Sequence, residues 1–144
     1  TNNDDTIILL HDGVRPLIDE KTINDNVKSV EENGSAITIV PAIETIGFSN
    51  KSGEIDKFVD RSKCVMARAP QSYFLNDIYN AHLEVQKNGN VDFIDSATMM
   101  QSLGIKLHTV LGNTNNIKVT TPTDFYIFRA ILDAQENQQI FGDS

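Results

Sequence analysis

Apolar residues along this chain come in short bursts separated by longer polar stretches. Thr6-Ile7-Ile8-Leu9-Leu10 is an unbroken apolar, β-branched run that stops at His11-Asp12-Gly13. Such a run reads as a strand covered on both faces and closed by a turn, as in parallel sheets flanked by helices. The period then changes: Ile23, Val27 and Val30 recur at helical spacing, Asp19 or Thr22 can cap the start, and Gly34 can close the end. Ala36-Ile37-Thr38-Ile39-Val40 returns to a strand, stopped by Pro41. Strand, helix and strand in that order form a βαβ unit with a right-handed crossover, so the pattern predicts an α/β sandwich.

The rhythm breaks between Glu44 and Asp60. Two short β-like pieces, Thr45-Ile46-Gly47-Phe48 and Ile55-Asp56-Lys57-Phe58-Val59, flank the turn-rich Ser49-Asn50-Lys51-Ser52-Gly53. A hairpin that exposes Ile46, Phe48 and Phe58 is marginal alone and needs a partner surface, so residues 44–60 are a candidate dimerisation arm. Beyond Pro70, the spacing of Leu75, Ile78, Tyr79, His82 and Leu83 predicts one helical stripe ending before Gly89. A shorter helix from Asp95 to Gly104 and strands at Lys106–Leu111 and Ile117–Thr120 follow. Thr121-Pro122-Thr123-Asp124 opens the last helix, with Thr121 as cap, proline at the first helical position and Phe125, Phe128 and Leu132 as its buried face.

The 144 residues fit one domain and can bury a core. Twelve Lys and Arg against 20 Asp and Glu give a net charge of −8, which argues against general nucleic-acid binding but not against a site where a few cations gather. No stretch approaches the roughly 20 apolar residues of a membrane span. The single Cys64 has no disulfide partner within the chain and no CxxC accompanies it, which suits a reducing, cytoplasmic setting. The chain has no initiator Met and no signal-peptide core, and the polar Thr1–Asp5 leads straight into a strand, so its start reads as a cut through a larger protein.

None of the stock phosphate, hydrolase, zinc or calcium motifs occurs. His82 reads as a packed helix residue, and His108 alternates with apolar residues, so neither supports a triad. His11-Asp12-Gly13-Val14-Arg15-Pro16 is more informative, because it lies at the carboxyl end of a strand, where open α/β sheets place ligands. Asp12 can hold a metal ion or a ribose hydroxyl there, and Arg15 a phosphate; equally, Asp-Gly can simply turn the chain while Arg15 pairs with Asp12 or Asp19. Arg61 beside Asp60, and Arg68 ahead of Ala69-Pro70-Gln71, are isolated cations of a kind usually found in solvated ion pairs worth under ~1 kcal/mol. Lys118 sits among amides and hydroxyls in a segment that, taken alone, reads as a surface strand after a turn.

Taken in order, HDGVRP (11–16), PAIETI (41–46), VDR (59–61), RAPQSYF (68–74), an acid-led helix ending in LG (103–104) and NNIKVTTPTDF (115–125) resemble the 2-C-methyl-D-erythritol 4-phosphate cytidylyltransferase family, which includes related ribitol 5-phosphate cytidylyltransferases. The resemblance runs from Thr6 to Leu132. It implies a Rossmann-like nucleotidyltransferase sandwich with a projecting β-arm that embraces a second subunit. The implied reaction transfers CMP from CTP to a polyol phosphate with Mg²⁺ or another divalent cation. Residue by residue, Asp12 would sit by the metal and the bound hydroxyls, and Arg15 would orient the phosphorylated substrate. Asp95, the acid opening the later helix, would line the substrate site. Arg61 would cross the dimer to hold the acceptor phosphate, and Lys118 would place that phosphate for in-line attack.

Two departures bear on the acceptor. Ala69 and Ile94 stand where the erythritol-phosphate enzymes carry threonines, which favours ribitol 5-phosphate, yielding CDP-ribitol and pyrophosphate. The alternatives are the erythritol-phosphate enzyme of isoprenoid synthesis and a non-catalytic dimeric fragment. The family's opening strand and Gly-rich CTP loop are missing from the chain, so residues 1–144 are expected to be the carboxyl-terminal portion of one cytidylyltransferase domain. The run Glu136 to Gly142 continues past the usual last helix, as a link to a further domain would.

Overall fold

A computed structural model describes residues 5–89 and 92–141. The chain's first residues and Gly142, both singled out in the sequence, lie outside the described residues.

Strand β1 (Ile7–Leu10), helix α1 (Glu20–Asn33) and strand β2 (Ser35–Pro41) form where the apolar pattern predicts them. Asp19 caps α1 by accepting a hydrogen bond from the Thr22 N–H, and Gly34 ends it at φ +84°, a left-handed conformation that favours glycine. Next come the arm strands β3 (Gly47–Ser49) and β4 (Ile55–Phe58), a single 3₁₀ turn at Arg61–Lys63, and the ten-residue strand β5 (Val65–Phe74). Helices α2 (Leu75–Lys87) and α3 (Ser96–Ser102), strand β6 (Thr109–Leu111) and helix α4 (Pro122–Phe141) complete the chain.

The main sheet has the order β1-β5-β2-β6. It corrects the expectation of a parallel sheet, because β5 lies antiparallel between β1 and β2 and only β2 and β6 run parallel. β1 is half-buried along its length, not covered on both faces. β5 escapes the sequence pattern because Arg68 and Pro70 interrupt it and a proline argues against a central strand. The fold accommodates Pro70 at an irregularity: Ile37 pairs with Gln71 and Ile39 with Ala67, so residues 68–70 bulge opposite Thr38, whose hydroxyl donates to the Pro70 carbonyl at 2.7 Å. This bulge carries Arg68 and Ala69 to the mouth of the cleft described below.

Ala36 and Ile37 point to opposite faces of β2, and each seeds a core. Ile37, Tyr73, Ile78, Ala81 and Met100 pack beneath α2 and α3, while Val30, Ala36 and Val110 pack beneath α1. The face that α1 buries is largely polar: Thr22, Asn26 and Ser29 are buried with Val30, while the expected Ile23 is exposed. Asn26 explains this. Its Nδ2 donates to the Thr22 carbonyl at 2.9 Å and to Thr38 Oγ1 at 3.0 Å, and its Oδ1 accepts from Ser72 Oγ at 2.9 Å. One side chain thereby joins α1, β2 and β5. Asn26→Ala is expected to destabilise the fold by about 2–3 kcal/mol, because it leaves buried hydroxyls short of partners. Urea unfolding checks this, and a loss below about 1 kcal/mol would show the network to be dispensable.

Three further details differ from the sequence pattern. In α2 the buried residues are Ile78, Ala81 and Val85, while Leu75, Tyr79, His82 and Leu83 face outward. In α4, Thr121 and Asp124 cap each other's backbone as expected, but of the three residues expected to be buried Phe125 is 49% exposed, while Phe128 and Leu132 are half-buried. Residues 117–120 form no strand, and a single bond from the Val119 N–H to the Val14 carbonyl at 2.8 Å ties them to the loop after β1. β3 and β4 pair only with each other, leaving Phe48, Ile55 and Phe58 exposed. Among the described residues no helix is long and apolar enough to cross a membrane.

Candidate active site

The loop after β1 closes through a bond from the Arg15 N–H to the Asp12 carbonyl at 3.0 Å, and His11 Nε2 lies 2.9 Å from the Arg15 carbonyl. The Arg15 side chain folds back into this turn. Its Nε donates to Asp12 Oδ2 at 3.0 Å and its Nη1 to the Asn116 carbonyl at 2.9 Å. Arg15 retains only 11% of its side-chain exposure, against 42% for Asp12. Arg15 is ion-paired with Asp12, as the structural reading of the sequence has it, and the pair also lines a cleft at the strand's carboxyl end. That cleft, of about 420 Å³, is walled by Asp12, Arg15, Arg68, Gln71, Asp95 and Lys118 among others.

Asp95, the N-cap of α3, also lines the cleft. Its Oδ1 accepts from the Thr98 N–H at 2.9 Å and its Oδ2 from Gln71 Nε2 at 3.0 Å. Burial alone would raise its pKa, but the hydrogen bonds from Gln71 and Thr98 outweigh it and hold the carboxyl below the usual carboxylate range. Gln71 is itself clamped, its Oε1 accepting from Ser96 Oγ at 2.6 Å and the Ala97 N–H at 3.0 Å. Ala69 and Ile94 also line the cleft, with Ile94 97% exposed.

The segment preceding α4 supplies the remaining wall. Asn116 is buried, donates from Nδ2 to the Ala69 carbonyl at 3.3 Å, and offers its own carbonyl to both Arg15 and Arg68. Two residues later Lys118 is exposed at the cleft and, among the described residues, forms no salt bridge. Asp12, Arg15, Asp95 and Lys118, far apart in the chain, therefore meet in one place.

Arg61 does not join them within the protomer. It opens the 3₁₀ turn capped by Asp60, donates to the Ile43 carbonyl at 2.9 Å, and lines a separate hollow at the base of the arm with Pro41, Ala42, Cys64 and Val65. Arg68 is the cleft residue that sequence reasoning set aside. Its signal was its place immediately before Ala69-Pro70-Gln71, which means little until the bulge in β5 is known.

A mixed sheet with helices on both faces and a polar cleft at the end of β1 defines an α/β domain of the nucleotidyltransferase type. It superposes on the crystal structure of the 4-diphosphocytidyl-2C-methyl-D-erythritol synthase from Anaerococcus prevotii with a TM-score of 0.80 at 24% identity, covering 88% of this chain and 58% of that one, a likeness of fold alone. The family model described as 2-C-methyl-D-erythritol 4-phosphate cytidylyltransferase matches residues 1–134, and the chain belongs to that family. It is 50% identical over 139 residues to the ribitol-5-phosphate cytidylyltransferase of Streptococcus agalactiae serotype III, covering 96% of this chain and 58% of that protein. It is 36% identical over 132 residues to the 2-C-methyl-D-erythritol 4-phosphate cytidylyltransferase of Bacillus licheniformis, covering 92% of this chain and 56% of that protein. The chain thus spans less than two thirds of the curated relatives it matches.

Proposed function

We propose that this chain carries the acceptor side of a cytidylyltransferase site that transfers CMP from CTP to ribitol 5-phosphate, giving CDP-ribitol and pyrophosphate. The observation that carries the reading is the meeting of Arg15 and Lys118 with Asp12 in one cleft at the end of β1. An oxygen of the acceptor phosphate attacks the α-phosphorus of CTP, a new P–O bond forms, and the bond to the β-phosphate oxygen breaks to release pyrophosphate. The nucleophile is already anionic, so the protein's work is to align two mutually repelling anions and to balance charge as the bond forms. Lys118, exposed and without a carboxylate partner among the described residues, suits the first task. Arg15, locked by Asp12 and the Asn116 carbonyl, suits holding the acceptor at a set orientation.

Among the described residues no group of three potential metal ligands occurs. A Mg²⁺ ion needs only one or two protein carboxylates where substrate phosphates supply other ligands. Asp12 fits that role, since Arg15 bonds one of its oxygens and the side chain remains 42% exposed to the cleft. When bound, the cation would neutralise phosphate charge. The side chain of Asp95 is committed to Gln71 and Thr98, so its part at the substrate site is to shape the wall.

Dimerisation through residues 44–60 completes the proposal, supported by the apolar exposure of Phe48, Ile55 and Phe58 on a two-stranded arm that is marginal alone. Arg61, at the base of that arm, would then reach the acceptor phosphate in the partner subunit. The cytoplasm, where CTP is available, is the proposed location.

Higher identity to the ribitol-phosphate relative than to the erythritol-phosphate relative supports the acceptor, as does the replacement of two threonines by Ala69 and Ile94. The full-length protein, given CTP, Mg²⁺ and a panel of polyol phosphates, is expected to release pyrophosphate about tenfold or more faster with ribitol 5-phosphate than with 2-C-methyl-D-erythritol 4-phosphate. The reverse preference would favour the isoprenoid enzyme, and release with no polyol phosphate would overturn the reading.

A further inference from the structure

Arg68 is the half-buried cation in the cleft that the roles above leave unused. Its Nη1 donates to the carbonyls of Thr114 and Asn116, both at 3.2 Å. Its Nε and Nη2 make no hydrogen bond among the described residues, so one end of the guanidinium is anchored while the planar fork of donors is left over. Arg15 takes the same Asn116 carbonyl at 2.9 Å, which draws two guanidinium groups around one acceptor. Asp12 neutralises Arg15, but among the described residues no carboxylate pairs with Arg68. Burial and the nearby charge of Arg15 both disfavour the Arg68 cation, lowering its pKa from the ordinary value. A like-charged pair held this closely is relieved by an anion, and a free guanidinium fork matches the oxygen spacing of a phosphate.

We propose that Arg68, anchored by the Thr114 and Asn116 carbonyls beside Arg15, is a further substrate-binding residue that grips the phosphate monoester of the acceptor. The proposal rests on the cytidylyltransferase reading and adds a recognition element to its acceptor side. The bulge at residues 68–70 is what turns a strand residue toward the cleft, and the buried Asn116 fastens that bulge through the Ala69 carbonyl. Bound phosphate would sit against Arg68, in the cleft that Arg15 and Lys118 also line.

The test compares Arg68→Gln and Arg68→Lys with the unaltered full-length protein. In steady-state assays of pyrophosphate release, Arg68→Gln is expected to raise KM for ribitol 5-phosphate about ten- to a hundredfold, with KM for CTP changed less than about twofold and partial recovery in Arg68→Lys. A rise in the CTP value instead would place the anion on the nucleotide and overturn the assignment. A fall in kcat with both KM values unchanged, not rescued by lysine, would mean that Arg68 only pins the 114–116 segment. Calorimetric titration with ribitol 5-phosphate, without CTP and with ribitol as control, reads the same question apart from turnover. If the unaltered protein binds the phosphate ester but releases no pyrophosphate, the activity reading fails while the loss of binding in Arg68→Gln still upholds the seat. Equal binding by both proteins, or binding by neither, overturns it.

Discussion

Replacing Lys118 by alanine in the full-length protein is expected to lower kcat about a hundredfold or more, with the affinity for CTP changed less than about threefold. Lys118 is exposed at the cleft, with no ion pair among the described residues to blunt its charge. In the proposed reaction an ammonium in that position would act on the acceptor phosphate, whose charge must be brought against that of CTP, so its contribution would be greatest as the two anions meet. Because the side chain packs into no core, loss of folding does not complicate the measurement, and an unchanged thermal midpoint serves as the control. Turnover within about threefold of the unaltered protein would remove Lys118 from the mechanism.

Arg61→Ala is expected to lower turnover to a similar degree, and mixing it with Lys118→Ala should restore activity. The protomer holds Arg61 at the base of the arm, in a hollow apart from the cleft that contains Lys118. If the arm of one subunit brings its Arg61 to the cleft of the other, each site draws one residue from each chain. A mixed dimer then carries one site with both substitutions and one with neither. Random assortment puts half of the dimers in the mixed form, so about a quarter of the original activity is expected to return. Coexpression with differently tagged subunits, followed by tandem purification of the mixed dimer, makes the measurement direct. No recovery would mean that both residues act within one chain, or that Arg61 serves only the arm through its bond to the Ile43 carbonyl.

Much of the fold follows from local chemistry. The helix caps at Asp19, Gly34, Asp95 and Thr121 act where their side chains and backbone freedom place them, and the arm appears as the turn residues around Asn50 and Gly53 demand. β5 is the principal omission. It is the centre of the sheet, yet Arg68 and Pro70 make it look like a loop until Thr38 is seen bonding the bulged Pro70 carbonyl. The facing of helices was also hidden: α1 turns Asn26 inward and Ile23 outward because Thr38 and Ser72 wait on the sheet. Hydrophobic periodicity has no means of finding a buried face built from hydrogen bonds.

For the site, the sequence alone determined only where the candidates stand: an acid and an arginine at the end of β1, an acid at the start of α3 and a lysine ahead of α4. Local pattern leaves the use of each open, and it is the resemblance to the cytidylyltransferase family, in the order of six short segments, that assigns them to a substrate site. Only the tertiary structure decided which of them meet. It set Asp12, Arg15, Asp95 and Lys118 around one cleft, left Arg61 at the arm, and brought in Arg68 through the irregular pairing of β5 with β2. The reason is physical: a cation's role depends on what shares its space, and the carbonyl shared by Arg15 and Arg68 belongs to Asn116, 101 residues beyond Arg15 in the chain.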